Sequence, residues 1–326
     1  MSLYSNICFY GGGAWGQALA MTLASVGYKS TLIVSDKIRE IEINNHISKK
    51  FPNIQLNPLI NASVNNNDII EHCDLMFVTT ESKRVMEVIK KISLCKQEAN
   101  VVITSKGFAS NKGDLFSDII NRQFPSMNIS VLTGPTFADE IASNQPAAAI
   151  VASENLAHAK SICQLFHHSN LRLYPSNDMK GASVSGAVKN IIAIGAGIIQ
   201  GLGLGDNAKA ALITRGISET SSLIEKLGGD PKTAFGLAGI GDMTLTCSGP
   251  HSRNMAYGIQ ITQDINSNPK NLVEGLNAIE ATLKLSEKFN LELPIVSAIN
   301  KIIKKETNIN DTIKQLLSRP IKNEFD

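Results

Sequence analysis

Several things are scarce in this chain of 326 residues, and each scarcity closes off a class of function. Aromatic residues make up 5%, and 31 Lys and Arg against 29 Asp and Glu leave a net charge of only +2. A dedicated nucleic-acid binder shows a basic stripe, which this balance argues against. The five cysteines, Cys8, Cys73, Cys95, Cys163 and Cys247, are scattered, odd in number and never spaced C-x-x-C. Neither a disulfide framework nor a metal site is expected from them, and a reducing compartment is. The opening MSLYSNICFYGGG has no basic segment before its apolar residues, so it does not read as a secretory signal. The most apolar stretch, residues 182–204, carries Lys189, Asn190 and Gln200, too polar and glycine-rich for a membrane span. The expectation is a cytoplasmic protein without stable membrane insertion.

What the chain does have is core material, 43% hydrophobic residues, in a length that suits roughly two domains of about 100–200 residues. NICFY (6–10), STLIVS (30–35), LMFVTT (75–80), VVITS (101–105), ISVLT (129–133) and AAAIVA (147–152) read as strands. Helical patterns at 14–26, 83–93 and 112–122 lie between them, which predicts parallel βαβ units in a sheet covered on both faces. From Asp178 onward the strand signal disappears, and helical patterns follow at 178–201, 207–227, 251–262, 274–289 and 294–305. Tyr174-Pro175-Ser176-Asn177 reads as a turn between the two regimes. The expected architecture is a Rossmann-like α/β domain over residues 1–177, followed by an all-helical domain over 178–326. Asn-rich NNND (65–68) reads as a loop.

GGGAWG (11–16) follows the first strand and opens a helical run, so Gly11, Gly13 and Gly16 fit G-x-G-x-x-G. The first glycine permits a tight turn, the second lets backbone approach a pyrophosphate, and the third allows close helix–strand packing. The phosphates then meet the unpaired N–H groups of the helix start. A dinucleotide site is the expectation.

In the helical half, Lys189 sits inside SGAVKNIIAIGAGIIQG (185–201). A lysine in such a run commonly packs its stem on apolar surface and sends its ammonium to solvent. Here its neighbours at helical spacing are mostly small, which leaves room for a cleft beside the amine. Further polar residues embedded in glycine-rich apolar runs, costly to bury unless paired, point to a shared site.

These blocks resemble one family, the bacterial-type NAD(P)-dependent glycerol-3-phosphate dehydrogenases. The resemblance rests on GGGAWG, SKG (105–107), GPTFADE (134–140), GAVKN (186–190), GLGLGDNAKAALITRG (201–216), GLAGIGD (236–242), SRN (252–254) and VEG (273–275), in family order and at family spacing. It implies reversible hydride transfer between NAD(H) or NADP(H) and dihydroxyacetone phosphate, giving sn-glycerol 3-phosphate, the backbone for phospholipid synthesis. By the resemblance, Lys189 is the general acid/base and Asp242 its catalytic neighbour. Lys106, Gly134, Thr136, Ser252, Arg253 and Asn254 match substrate-contacting positions, with Lys189 and Asp242 among them. Gly11, Gly13, Ala14, Trp15, Gly16, Ser35, Asp36, Lys106, Ala138, Arg253, Leu272 and Glu274 match cofactor-contacting positions. The partner is a small molecule rather than nucleic acid, and the assembly is left open, a homodimer among the options.

The chain departs from the family in three places. Gly12 and Ala14 stand where many members have Ala and Ser. VTTES (78–82) replaces a Val-Pro-Ser type turn, and VSDKIR (34–39) lacks the common Trp-x-Arg pattern. Asp36, 20 residues after Gly16, suits a ribose 2′-hydroxyl, while Lys37 and Arg39 follow closely. NADH is therefore expected within tenfold of NADPH or better. Two other readings stay open on the residues: a silent dinucleotide-binding protein, and a reductase of the same architecture acting on another oxo substrate.

Overall fold

The inner strands of the first half alternate their side chains between two apolar layers, which is why the centre of the sheet is buried on both faces. Ile7 and Phe9, Leu75 and Phe77 point to one layer, and Cys8, Met76 and Val78 to the other. The computed structural model describes residues 3–249, 252–264, 273–318, 320 and 323. Its sheet comprises β1 (Ile7–Tyr10), β2 (Ser30–Ile33), β3 (Ile60–Ser63), β4 (Leu75–Val78), β5 (Asn100–Ile103), β6 (Asn128–Thr133), β7 (Ala147–Ala152) and β8 (Leu171–Ser176). The strand order is β3-β2-β1-β4-β5-β6-β7-β8. Helices α1 (Ala14–Ser25), α2 (Lys37–Asn44), α3 (Asn66–His72), α4 (Val85–Cys95), α5 (Phe116–Gln123), α6 (Ala138–Ala142) and α7 (Leu156–Leu165) accompany it. The order reverses between β1 and β4, so a crevice opens outside the carboxyl ends of those strands, where ligands of this architecture bind.

The expected parallel units are present, with one departure: β7 runs antiparallel to β6, and β8 is parallel to β7. The five-residue α6 spans about 7.5 Å at 1.5 Å per residue, too short to carry the chain back along β6. It packs on α1 instead, and the chain reverses. Tyr174, Pro175 and Ser176 are not a turn but the end of edge strand β8, where a proline costs no ladder bond facing solvent. NNND is not a loop either: Asn66 begins α3, with Asp68 in its first turn favoured by the helix dipole.

Among the described residues beyond Ser176 every regular element is helical: α8 (Met179–Gly201), α9 (Asp206–Lys226), α10 (Asp242–Cys247), α11 (Arg253–Gln263), α12 (Glu274–Phe289), α13 (Pro294–Ile303) and α14 (Ile309–Leu317). α8 is the axis, packed against α9, α10, α11 and α12. It is long and apolar enough to cross a membrane, yet 89% of its most apolar window is buried inside the protein. Its glycines explain how. A Cβ on Gly197 would lie 2.1 Å from the Met255 carbonyl oxygen, and one on Gly258 of α11 would lie 2.1 Å from that of Ile194. The two backbones touch there, and side chains cannot intervene. Asp178 caps α8 through the Gly181 N–H at 2.9 Å and also accepts from Thr233 at 2.6 Å, which pins the helix start to the turn after α9.

Candidate active site

The glycine loop is held from behind and open in front. Gly11 has a φ of +125°, a conformation that favours glycine, and its carbonyl accepts from Thr79 Oγ1 at 2.9 Å. Thr79 belongs to the departing VTTES turn, and it donates a hydrogen bond that a proline in that turn lacks. The Gly12 carbonyl accepts from buried Gln17 at 3.0 Å. A Cβ on Gly16 would lie 2.2 Å from the Gly11 carbonyl oxygen, so α1 packs against the loop itself. On the other side, a Cβ on Gly13 would meet nothing within 4 Å, and Gly13 caps α1 without a side-chain bond. The space beside the start of α1 is thus open, and no side chain among the described residues caps its first N–H groups. This is a fit for a dinucleotide pyrophosphate, which such helix starts accept. Ala14 brings a backbone N–H and no hydroxyl, and both Ala14 and Trp15 pack partly buried on the core below.

Ser35 and Asp36 follow β2, the neighbour of β1, at the same edge of the sheet. Asp36 caps α2, accepting from the Arg39 N–H at 2.9 Å and from Ser35 Oγ at 3.1 Å. Lys106 lies beyond β5, Gly134 and Thr136 just beyond β6, and Ala138 opens α6. Leu272 falls outside the described residues.

Lys189 does not snorkel. It is 6% exposed, and its Nζ donates to Asp242 Oδ1 at 2.5 Å and to Thr246 Oγ1 at 3.0 Å. Asp242 is 1% exposed and stands between two cations, with Lys106 Nζ 2.8 Å from its Oδ2. Lys106 also donates to the Gly134 carbonyl at 2.8 Å. The ion-pair set therefore joins strand ends of the sheet domain to the axis of the helical half. A pair buried this deeply stabilises only with well-made hydrogen bonds, because each charge gives up its water. Asp242 is delivered by a π-helical turn, Leu237–Gly241, an irregularity frequent at functional sites. Thr246 sits one turn later and donates to the Asp242 carbonyl at 2.6 Å, which leaves its lone pairs facing Lys189.

Burial pushes the Lys189 ammonium down to about 8, with nearby Lys106 adding to the fall and Asp242 opposing it. Two of its three N–H hydrogens have partners, and none is found for the third among the described residues. Nearby, Glu274 begins α12, and burial raises its carboxyl above the usual range while Arg253 and Lys189 pull the other way. Arg253 is exposed at the start of α11, and Ser252 caps that helix through the Met255 N–H at 3.4 Å. Asn254 is buried, donating to Asn190 at 2.9 Å and accepting from the Gly275 N–H at 2.9 Å, so it ties α11 to α8 and α12.

Sequence reasoning assigned no role to Thr246, Asn190, Thr79 or Gln17. The four-residue spacing of Asp242 and Thr246 on a helix was a usable signal. The contacts of Thr79 and Gln17 with the glycine loop cross between elements and leave no local pattern.

The family model for the NAD-dependent glycerol-3-phosphate dehydrogenase N-terminus matches residues 6–159, and that for its C-terminus matches 178–314. A glycerol-3-phosphate dehydrogenase of NAD(P)+ type from Francisella philomiragia is 35% identical, across 99% of this chain and all of that one. One from Francisella tularensis is 37% identical with the same coverage. The crystal structure of glycerol-3-phosphate dehydrogenase from Coxiella burnetii superposes with a TM-score of 0.88 at 30% identity, covering 97% of this chain and 99% of that one. The chain belongs to the NAD-dependent glycerol-3-phosphate dehydrogenase family.

Proposed function

We propose that the protein interconverts dihydroxyacetone phosphate and sn-glycerol 3-phosphate, with Lys189 as the proton carrier. Residues 1–177 hold the dinucleotide, and residues 178–326 supply the lysine. A nicotinamide dinucleotide bound along the glycine loop supplies the two-electron redox chemistry. As the carbonyl carbon is reduced, its oxygen gains negative charge. Lys189 faces that oxygen with its third N–H, stabilises the charge and hands over the proton. In the reverse direction the neutral amine takes the hydroxyl proton. Asp242 and Thr246 fix the amine, and Lys106 pairs with the other Asp242 oxygen. Arg253 grips the substrate phosphate with paired N–H donors. Gly134, Thr136, Ser252 and Asn254 complete the substrate side, while Gly11, Gly13, Ala14, Trp15, Gly16, Ser35, Asp36, Ala138 and Glu274 serve the cofactor. The reading places the protein in the cytoplasm, supplying phospholipid synthesis, and admits a homodimer.

The observation that carries this reading is the buried Lys189–Asp242–Lys106 set with one lysine N–H unspent. Its test is the pH dependence of kcat/KM in both directions. Reduction needs the ammonium, so it holds below about 8 and falls as pH rises through that value. Oxidation needs the free amine, so it rises through the same region, since kcat/KM reports the free enzyme. Flat profiles across that region in both directions would give the proton to another group.

A further inference from the structure

We propose that this chain selects NAD(H) over NADP(H), and that Asp36 makes the selection. The inference rests on the reading that the sheet domain holds the dinucleotide, and three observations carry it further.

The first is placement. Asp36 directly follows the strand beside β1, at the crevice edge of the sheet, where an acidic side chain meets the adenosine ribose in this architecture.

The second is fixation. The α2 N-cap bond from the Arg39 N–H and the bond from Ser35 Oγ hold one carboxylate oxygen each. The Arg39 backbone bond, with Ser35 and the Arg39 and Lys49 charges, holds the carboxyl below its usual range. An ionised carboxylate fixed in this way accepts from a ribose 2′-hydroxyl. A 2′-phosphate has no proton to give at neutral pH beyond a fraction of one, and it brings like charge to the same place.

The third is the disposition of the two cations that follow. Lys37 is paired with Glu40 at 2.6 Å. The Arg39 stem lies across the glycine loop: a Cβ on Gly12 would come within 3.3 Å of Arg39 Cδ and 2.5 Å of Val34 Cγ1. Two departures from the family pattern therefore meet in space. Gly12 gives up its methyl group, and the VSDKIR segment closes over the vacated face. Arg39 is drawn onto the loop, Lys37 is paired away with Glu40, and Asp36 is left exposed at the ribose position.

The test is calorimetric binding of NADH and NADPH at one fixed ionic strength, with quenching of the sole tryptophan, Trp15, as a second readout; neither depends on turnover. Asp36→Asn is the informative variant, because asparagine caps a helix as well as aspartate does while removing the charge. Wild type is expected to bind NADH at least tenfold more tightly than NADPH. Asp36→Asn is expected to bring the ratio within about threefold, chiefly by tightening NADPH, with an unchanged melting temperature. A wild-type preference for NADPH that Arg39→Ala abolishes would overturn the proposal in favour of Arg39. An unchanged ratio in Asp36→Asn would reduce Asp36 to a helix cap. Absence of binding by either dinucleotide would count against the cofactor site as a whole, which distinguishes that failure from failure of the selection.

Discussion

Replacing Lys189 by Met is expected to lower turnover by about 10²-fold or more, since a positioned acid or base contributes about 10²–10⁴. Methionine fills similar apolar volume on α8, so the helix packing around residue 189 is kept. What disappears is the ammonium that meets the Asp242 carboxylate at 2.5 Å and the N–H left for substrate. Asp242 keeps Lys106 at 2.8 Å, so its buried charge is not orphaned. Dinucleotide affinity is expected to stay near wild type, because the glycine loop is built from Gly11, Gly12, Gln17 and Thr79 without Lys189. Near-normal turnover in a folded variant would return Lys189 to the status of a paired core lysine.

The second large effect belongs to Arg253. Arg253→Ala should raise KM for dihydroxyacetone phosphate about ten- to hundredfold, because a hydrogen bond to a charged group contributes about 1.5–3 kcal/mol. The fold should survive: Arg253 is exposed, and the helix cap comes from Ser252 rather than from it. Unphosphorylated dihydroxyacetone gives the control, and its already poor use should change little. Equal losses on the two substrates, measured by saturation kinetics, would place Arg253 on the cofactor alone.

The parts of this molecule that were legible in the sequence are those with a local signature. The glycine loop announced itself because its turn, its close approach and its helix start all fall within six residues. The long helices from α8 to α13 showed their period plainly. β3 was missed because its four residues include exposed Asn61, too few to show alternation. β8 was missed because Pro175 reads as a breaker until its edge position is known. The reversal at β7 depends on the shortness of α6, a property of the connection rather than of either strand.

The site shows the same division. Lys189 stood out as a charge in an apolar run, but its state did not. Whether such a lysine reaches water or stays buried depends on Asp242 and Lys106, 53 positions later and 83 positions earlier in the chain. Asp36 shows the converse: its distance from Gly16 flagged it, while the bonds that hold its carboxylate come from its immediate neighbours. The family resemblance supplied the pairing that residue patterns could not, and the fold then supplied the geometry.

The activity itself is tested most directly by following nicotinamide absorbance while reduced dinucleotide is offered dihydroxyacetone phosphate, and in parallel 2-oxo acids without phosphate. Steady oxidation of the dinucleotide is expected with dihydroxyacetone phosphate, and at least about 10²-fold less with the oxo acids, the margin that loss of a doubly charged anchor implies. Steady turnover of an oxo acid, with dihydroxyacetone phosphate inert, would contradict the proposed activity.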